Sequence, residues 1–390
     1  MTVTDIPAVA GAVETTTGIE SHLHPPGSFD VQAHAAPSGK QEWFRFTPLR
    51  RLRGLDKDVE LAEGVLELGV SAADPVVVRQ VPVTDPVVRA SGFLPGERIT
   101  ARAFAAASEV TLVDVPAETE VAEPVVLRFA GTGAERVGVG HTVIRAGHHA
   151  KATVVLEFSG SATVADSVQV IAEDSAQLTV VALLEWADDT VHHSAHHVLV
   201  GRDAKVKHAV LTFGGDLVRL PVTAEYDGPG GDVELLGLYY ADAGQHLEHR
   251  IFVDHAVPHC KSDALYKGAL QGRGARAVWI GDVLIRKAAE GTDTYEMNRN
   301  LVLTDGARAD SVPNLEIETG EIVGAGHASA TGRFDDEQLF YLLSRGIPEE
   351  VARRLVVRGF FGEVLQRIGV PSVADRATDI IERELAITGN

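Results

Sequence analysis

The sequence predicts a mainly β protein: a parallel β-solenoid with a small α+β region before it and a helical subdomain after it. Three features predict this. From about residue 110 to 325, apolar runs such as VTLVDV, ATVVLEF, LTVVALLE, HAVLTF and AVWIGDVLI follow one another with hardly any helical spacing between them. The turn signals GHHA, DSAQ, GRDA and GPGG begin at Gly147, Asp174, Gly201 and Gly228, a repeat of 27 residues, and later equivalents at Gly272 and Asp305 drift. A period in the twenties with several short strands per repeat fits coils that cover one another's apolar faces, whereas the turns of a β-sandwich would recur about every 8 to 12 residues. Third, only 6% of residues are aromatic in a chain rich in Val, Ala, Leu and Gly, which suits closely stacked strands with small inward side chains.

Taken in order, residues 1–38 carry no period, and HLHPPGS at 22–28 can propagate neither helix nor sheet, so a disordered leader is expected. His22, His24 and His34 in it read as solvated rather than metal-binding. Order is expected from EWFRFTPLRRLRGL at 42–55. There Trp43, Phe44 and Phe46 supply anchoring bulk, and Arg45, Arg50, Arg51 and Arg53 tie the segment to an acidic body. ERITARAFAAASE at 97–109 has helical spacing and completes an α+β region over 39–110. The solenoid core is assigned to 111–332.

Residues 333–390 read as helices that cover the solenoid's open end, whose unpaired strand edge would otherwise invite association. Asp335 or Asp336 caps a helix running through Phe340, Tyr341 and Leu342 to a stop at Gly346. Pro348 opens a second helix with Glu349 and Glu350 in its first turn, and Gly369 and Pro371 end it. Its apolar stripe is Val351, Leu355, Phe361, Val364, Leu365 and Ile368, and part of that stripe is available to dock another protein. A last helix spans about 373 to 387.

Composition narrows the function. A formal charge of −20 disfavours a phosphate backbone or an anionic membrane face as partner. There is no run of eighteen apolar residues and no basic, apolar leader pattern, so a cytoplasmic location is expected. The single cysteine, Cys260, excludes an internal disulfide or a CxxC pair, and one such chain cannot build a four-thiolate iron-sulfur site alone. GxxxxGK[ST], GxSxG and HExxH are all absent, and GAGHAS has Ser329 where a dinucleotide loop needs its third glycine.

Two histidine clusters remain. His192, His193, His196 and His197 lie in a strand-like run, where alternation sends His192 and His196 one way and His193 and His197 the other, against a shared metal site. His255, His259 and Cys260, near Asp254 and Asp263, make a weak soft-metal candidate with one thiolate. A long solenoid face could also hold a polysaccharide, with Tyr239, Tyr240, Asp242, Glu248 and Asp254 as the acids and aromatics such an enzyme would need. His327 stands where the strands give way to helices. By itself, among Gly, Ala and Ser, it reads as structural.

The run GHASATGRFDDEQLFYLLSRGIPEEVARRLVVRGFF, preceded by DALYKGALQGRGARAVWIGDVLI and NRNLVLTDGARADSVPNLEI, resembles the SufB/SufD family of the Suf iron-sulfur cluster assembly system. The resemblance covers about 42–55 and 100–387. It implies a right-handed parallel β-helix between an N-terminal region and a C-terminal helical subdomain. SufB-type members carry a cysteine within the segment matching 298–306 and a glutamate directly after the junction histidine. This chain has Thr304 and Ala328 there, so it resembles the SufD branch, and Ala325 replaces a cysteine present in some SufD chains. The resemblance implies a non-catalytic scaffold that pairs with SufB through the β-helix and places His327 beside a transient interfacial iron-sulfur cluster, with none held stably by this chain alone. It implies binding of the ATPase SufC through the C-terminal helices, with Asp335, Asp336, Phe340, Tyr341, Arg345, Gly346, Phe360 and Phe361 as contacts. A homodimer is the expected alternative when the chain is isolated.

Overall fold

A computed structural model describes residues 27–334 and 336–387. Its first strands are β1 (Leu66–Ser71) and β2 (Val77–Pro82), followed by helix α1 (Arg98–Ala106) and strand β3 (Glu109–Val115). The solenoid continues through β4 (Val125–Ala146), β5 (Lys151–Ala172), β6 (Gln177–Trp186), β7 (Val191–Val200), β8 (Lys205–Phe213) and β9 (Leu217–Tyr226). It is completed by β10 (Asp232–Ala241), β11 (His246–His255), β12 (Lys261–Leu270), β13 (Arg276–Ile285), β14 (Asp293–Val302), β15 (Arg308–Ile317) and β16 (Gly324–Arg333). Three helices close the chain: α2 (Asp336–Ser344), α3 (Glu349–Ile368) and α4 (Pro371–Ile387).

All of these strands join one sheet wound into a parallel β-solenoid. Odd-numbered strands from β5 to β15 stack along one wall and even-numbered strands from β6 to β16 along the other, while the long β4 and β5 bend around the corner and serve both. Gly131 and Gly160 make that bend: a Cβ on Gly131 would stand 2.3 Å from the Ser161 carbonyl oxygen, and Gly160 has φ +79°. Coil length follows from the register. Lys205 pairs with Asp232 and Lys261 with Asp293, so a coil grows from 27 to 32 residues toward the C-terminus.

The repeating corner is marked by one left-handed residue per coil: His149, Ser175, Asp203, Gly230, His259 and Gly291. This corrects the reading of Gly272 and Asp305. Those two residues sit in the opposite corner column, between β12 and β13 and between β14 and β15, so the apparent drift mixes two columns of turns. The strand-per-run reading holds throughout the core.

Packing explains why alternation was readable. Inward residues such as Val154, Val180, Leu235, Leu247 and Trp279 form a continuous lumenal core. Outward residues of the two walls are covered by different parts of the chain. On the odd wall lie α1 and the segment around Phe44, Leu52 and Leu55. Residues 27–34, expected in the mobile leader, are fixed here. Ser28 N–H donates to the Pro95 carbonyl at 2.9 Å, and the ring of Phe29 meets Phe104 edge-on at 5.2 Å. Residues 1–26, with His22 and His24, lie outside the described residues.

On the even wall lie α3 and α4. Val357, Phe361, Val364, Ile368, Ile380 and Ile381 pack against Leu183, Leu211, Leu238, Tyr240 and Leu265. The helices therefore cover a flank of the solenoid, not its end as the sequence suggested. An even wall with apolar side chains on both faces needs an apolar cover, and the second half of α3 supplies it. Lys267 ties it down, donating to the Phe360 carbonyl at 2.9 Å and the Glu363 carboxylate at 2.7 Å. Gly369 ends α3 with φ +70°, as its position predicts.

Candidate functional site

Among the described residues, the end of the solenoid is open. β15 and β16 are the two ends of the strand path, so each has a ladder on one side only. Their residues are half-buried or exposed, in contrast to the buried rungs before them. Ile317, the last residue of β15, and Val323, just before β16, are 44% and 73% exposed. His327 sits on this edge, on β16, with its side chain exposed. It is in register with Glu296 of β14, and their shared parity puts both side chains on the lumenal side.

Beneath the terminal coil the lumen turns polar. Inward positions of β14 are Thr294, Glu296, Asn298 and Asn300, all nearly inaccessible. Tyr239 donates to Asn300 Oδ1 at 2.6 Å, and Asn300 donates to Asn298 Oδ1 at 2.8 Å and to Ser311 Oγ of β15 at 3.0 Å. Glu296 differs from these. Only 2% exposed, it has no hydrogen-bond partner among the described residues on either carboxylate oxygen, and burial followed by the nearby Asp282 charge pushes its pKa up to about 8. Alternation within DTYEMNRNLV sets these four polar residues on one face, a signal present in the sequence and not used there.

Further from the end, a buried ionic ladder joins the N-terminal region to the odd wall. His193, Arg219 and Glu248 occupy successive rungs of β7, β9 and β11. Arg219 Nε lies 3.2 Å from Glu248 Oε1, Thr47 donates to Glu248 Oε2 at 2.7 Å, and His193 Nε2 lies 2.9 Å from Glu97, the residue that caps α1. Burial would raise the Glu248 pKa, but the His246 hydrogen bond and the charges of Arg219, His246 and Arg250 hold it down at about 2. This is structural chemistry: it ties Trp43, Thr47 and Glu97 to the solenoid.

The other sequence candidates separate in space. His192 bonds to Asp166 at 3.0 Å inside the lumen and His196 to His208 at 2.8 Å, while His193 and His197 face the N-terminal cover. His255 stacks on Tyr226 at 4.9 Å, His259 is an exposed turn residue, and Cys260 is buried with its thiol pKa raised by burial. Among the described residues, no group of three or more His, Cys, Asp or Glu is arranged to hold a metal ion. The soft-metal reading of His255, His259 and Cys260 therefore has no geometric support. Nor do Tyr239, Tyr240, Asp242, Glu248 and Asp254 share an open face: Tyr239 points into the lumen, Tyr240 lies under the helices, and Glu248 and Asp254 are buried against arginines.

Asp335 is outside the described residues, and Asp336 opens α2. Phe340 and Tyr341 are 72% and 57% exposed, and Val351 and Leu355 of α3 are exposed as well. Arg345 lies over the Tyr341 ring at 5.0 Å, and Gly346 has φ +78°. Phe360 is half-buried against Lys267, whereas Phe361 has no exposed surface, its side chain taken up by the even wall. The predicted apolar stripe is thus two surfaces: a free one up to Leu355 and a packed one beyond it.

A family profile described as SUF system FeS cluster assembly, SufBD core domain, matches residues 129–360. The chain belongs to the SufBD family. An iron-sulfur cluster assembly SufBD family protein of Mycobacterium bovis is 55% identical over 383 residues, covering 96% of both chains. More distant family members are named iron-sulfur cluster assembly protein SufD. That of Bacillus subtilis is 29% identical over 281 residues, 70% of this chain and 63% of its own, and that of Escherichia coli is 29% identical over 186 residues, 47% and 44%. The matched span takes in the lumen, the terminal coil with His327, α2 and the first half of α3. The family's assembly of iron-sulfur clusters is a scaffold function, and no helix of the described residues is long and apolar enough to cross a membrane.

Proposed function

We propose that this chain is a non-catalytic, SufD-type scaffold subunit of the Suf system in the cytoplasm. It pairs with SufB through the open end of the solenoid, contributes His327 beside a cluster assembled there, and binds SufC through α2 and the exposed start of α3. The observation that carries this reading is the placement of His327 on an uncovered edge. β15 and β16 offer a row of unpaired backbone groups for another strand, and the imidazole stands within that row. One buried cysteine cannot ligate a cluster from here, so the thiolates must come from the partner. The exposed Phe340, Tyr341, Val351 and Leu355 form a helical apolar surface of the kind that docks into a groove.

Co-expression with SufB and SufC tests the assembly. The three chains are expected to purify together, and a chain that stays alone under these conditions refutes the proposal. His327→Ala tests the site: the complex should form as before while cluster yield on reconstitution falls at least tenfold. Equal yield removes the role given to His327.

A further inference from the structure

We infer that Glu296 is a second residue of the His327 site, its carboxylate and the imidazole being this chain's two donors to a ferrous ion that enters through the open end of the solenoid. The inference rests on the proposed role of His327. One lumenal column, followed from coil to coil, reads Val180, His208, Leu235, Ala264, Glu296, His327. Its apolar members fill the core and His208 is held deep inside by His196 at 2.8 Å, whereas two donor groups on consecutive rungs come only at the last two, where the lumen meets solvent. In-register residues on neighbouring strands are separated by about 5 Å, a spacing that one metal ion can bridge.

A structural role does not account for Glu296. A buried carboxylate with no partner destabilises a fold, and Ala264 shows that an apolar side chain suits this column one rung earlier. The asparagines beside it are satisfied by Tyr239 and Ser311, so the polar lumen alone does not require an acid. Glu296 lies against Gly281 of the facing β13, where a Cβ would come within 2.9 Å of Oε1. Glycine there leaves the carboxylate room. Imidazole nitrogen with carboxylate oxygen is a donor set for first-row divalent metals and not for soft monovalent copper. Two donors make a half-site, with the remaining positions filled by water and by groups across the edge.

Ferrous ion alone, titrated anaerobically into the purified full chain and into the co-purified complex, tests this. Wild type is expected to bind one equivalent, Glu296→Gln and His327→Ala should each weaken binding at least tenfold, and the double variant should lose no more than either single. Glu296→Gln should fold at least as well as wild type, since a neutral isostere replaces a buried acid, and Glu296→Asp should keep part of the affinity. Unchanged ferrous affinity in Glu296→Gln, or no ferrous binding by wild type in either setting, overturns the inference. If cluster yield in the complex is indifferent to His327→Ala, the parent reading fails. If that variant is defective while Glu296→Gln binds iron normally, only the present inference fails.

Discussion

Arg219 and Glu248 face each other on adjacent rungs with no exposed side-chain surface on either, Nε 3.2 Å from Oε1. Thr47, His246 and Arg250 converge on the same carboxylate, and Arg219 also donates to the Trp43 carbonyl at 2.7 Å. Removing one partner strands a buried charge. Glu248→Ala should therefore cost about 3–5 kcal/mol of stability in chemical denaturation, with limited proteolysis showing the 42–55 segment released first. A cost under about 1 kcal/mol would mean that the pair is dispensable.

Stability should fall in acid in two stages. His196 and His197 are depressed to about 4 by burial, in His197 partly offset by the Ser91 carbonyl. Their contribution is fully present above the unfolded value near 6.5 and is lost as pH drops toward 4, at about 3 kcal/mol each. Glu97 and Glu248, held at about 2 against burial, contribute fully above about 4.5 and lose that contribution between 4.5 and 2. Denaturation midpoints measured from pH 8 to 3 should decline below about 6.5 and more steeply below about 4.5. His197→Gln should make the first stage smaller and leave the second unchanged.

The exposed face of α2 and the packed second half of α3 should respond oppositely to substitution. Phe361→Ala removes a fully buried ring from the even wall and should cost about 3–5 kcal/mol. Phe340→Ala and Tyr341→Ala remove exposed rings and should leave stability within about 0.5 kcal/mol while weakening SufC capture at least tenfold. If both classes weaken capture to the same degree at equal stability, the division of the helical subdomain into a free surface and a packed one is wrong.

Legibility in the sequence followed how local each signal is. Alternation and corner residues are local, so the solenoid, the helix at 97–109 and the stops at Gly346 and Gly369 could be read directly. Which wall the helices cover could not, because Phe361 and Val364 look the same whether they cap an end or pack on Leu211 and Leu238. The opposite-corner turns at Gly272 and Asp305 imitated the main column because both need left-handed or tight backbone. His327 was found by resemblance; its exposure on an uncovered edge is a property of topology. Glu296 was missed because an acid in an alternating strand reads as solvent-facing until the register places it inside.

Asn300 links the lumen to the terminal coil, and this link is testable. Its amide donates to Ser311 of β15 at 3.0 Å and lies 3.4 Å from Thr331 Oγ1 of β16, while Tyr239 holds its oxygen at 2.6 Å. The residues of β15 and β16 are half-buried or exposed, and this one buried side chain reaches both strands. Asn300→Ala leaves the Tyr239 hydroxyl without that acceptor and should cost about 1–3 kcal/mol. Amide exchange should accelerate at 308–317 and 324–333 and stay unchanged in β7 and β9. Because β-edge pairing needs a fixed register, the same variant should weaken capture of SufB. Uniform acceleration across all strands would show instead that Asn300 stabilises the whole solenoid and gives the edge no particular support.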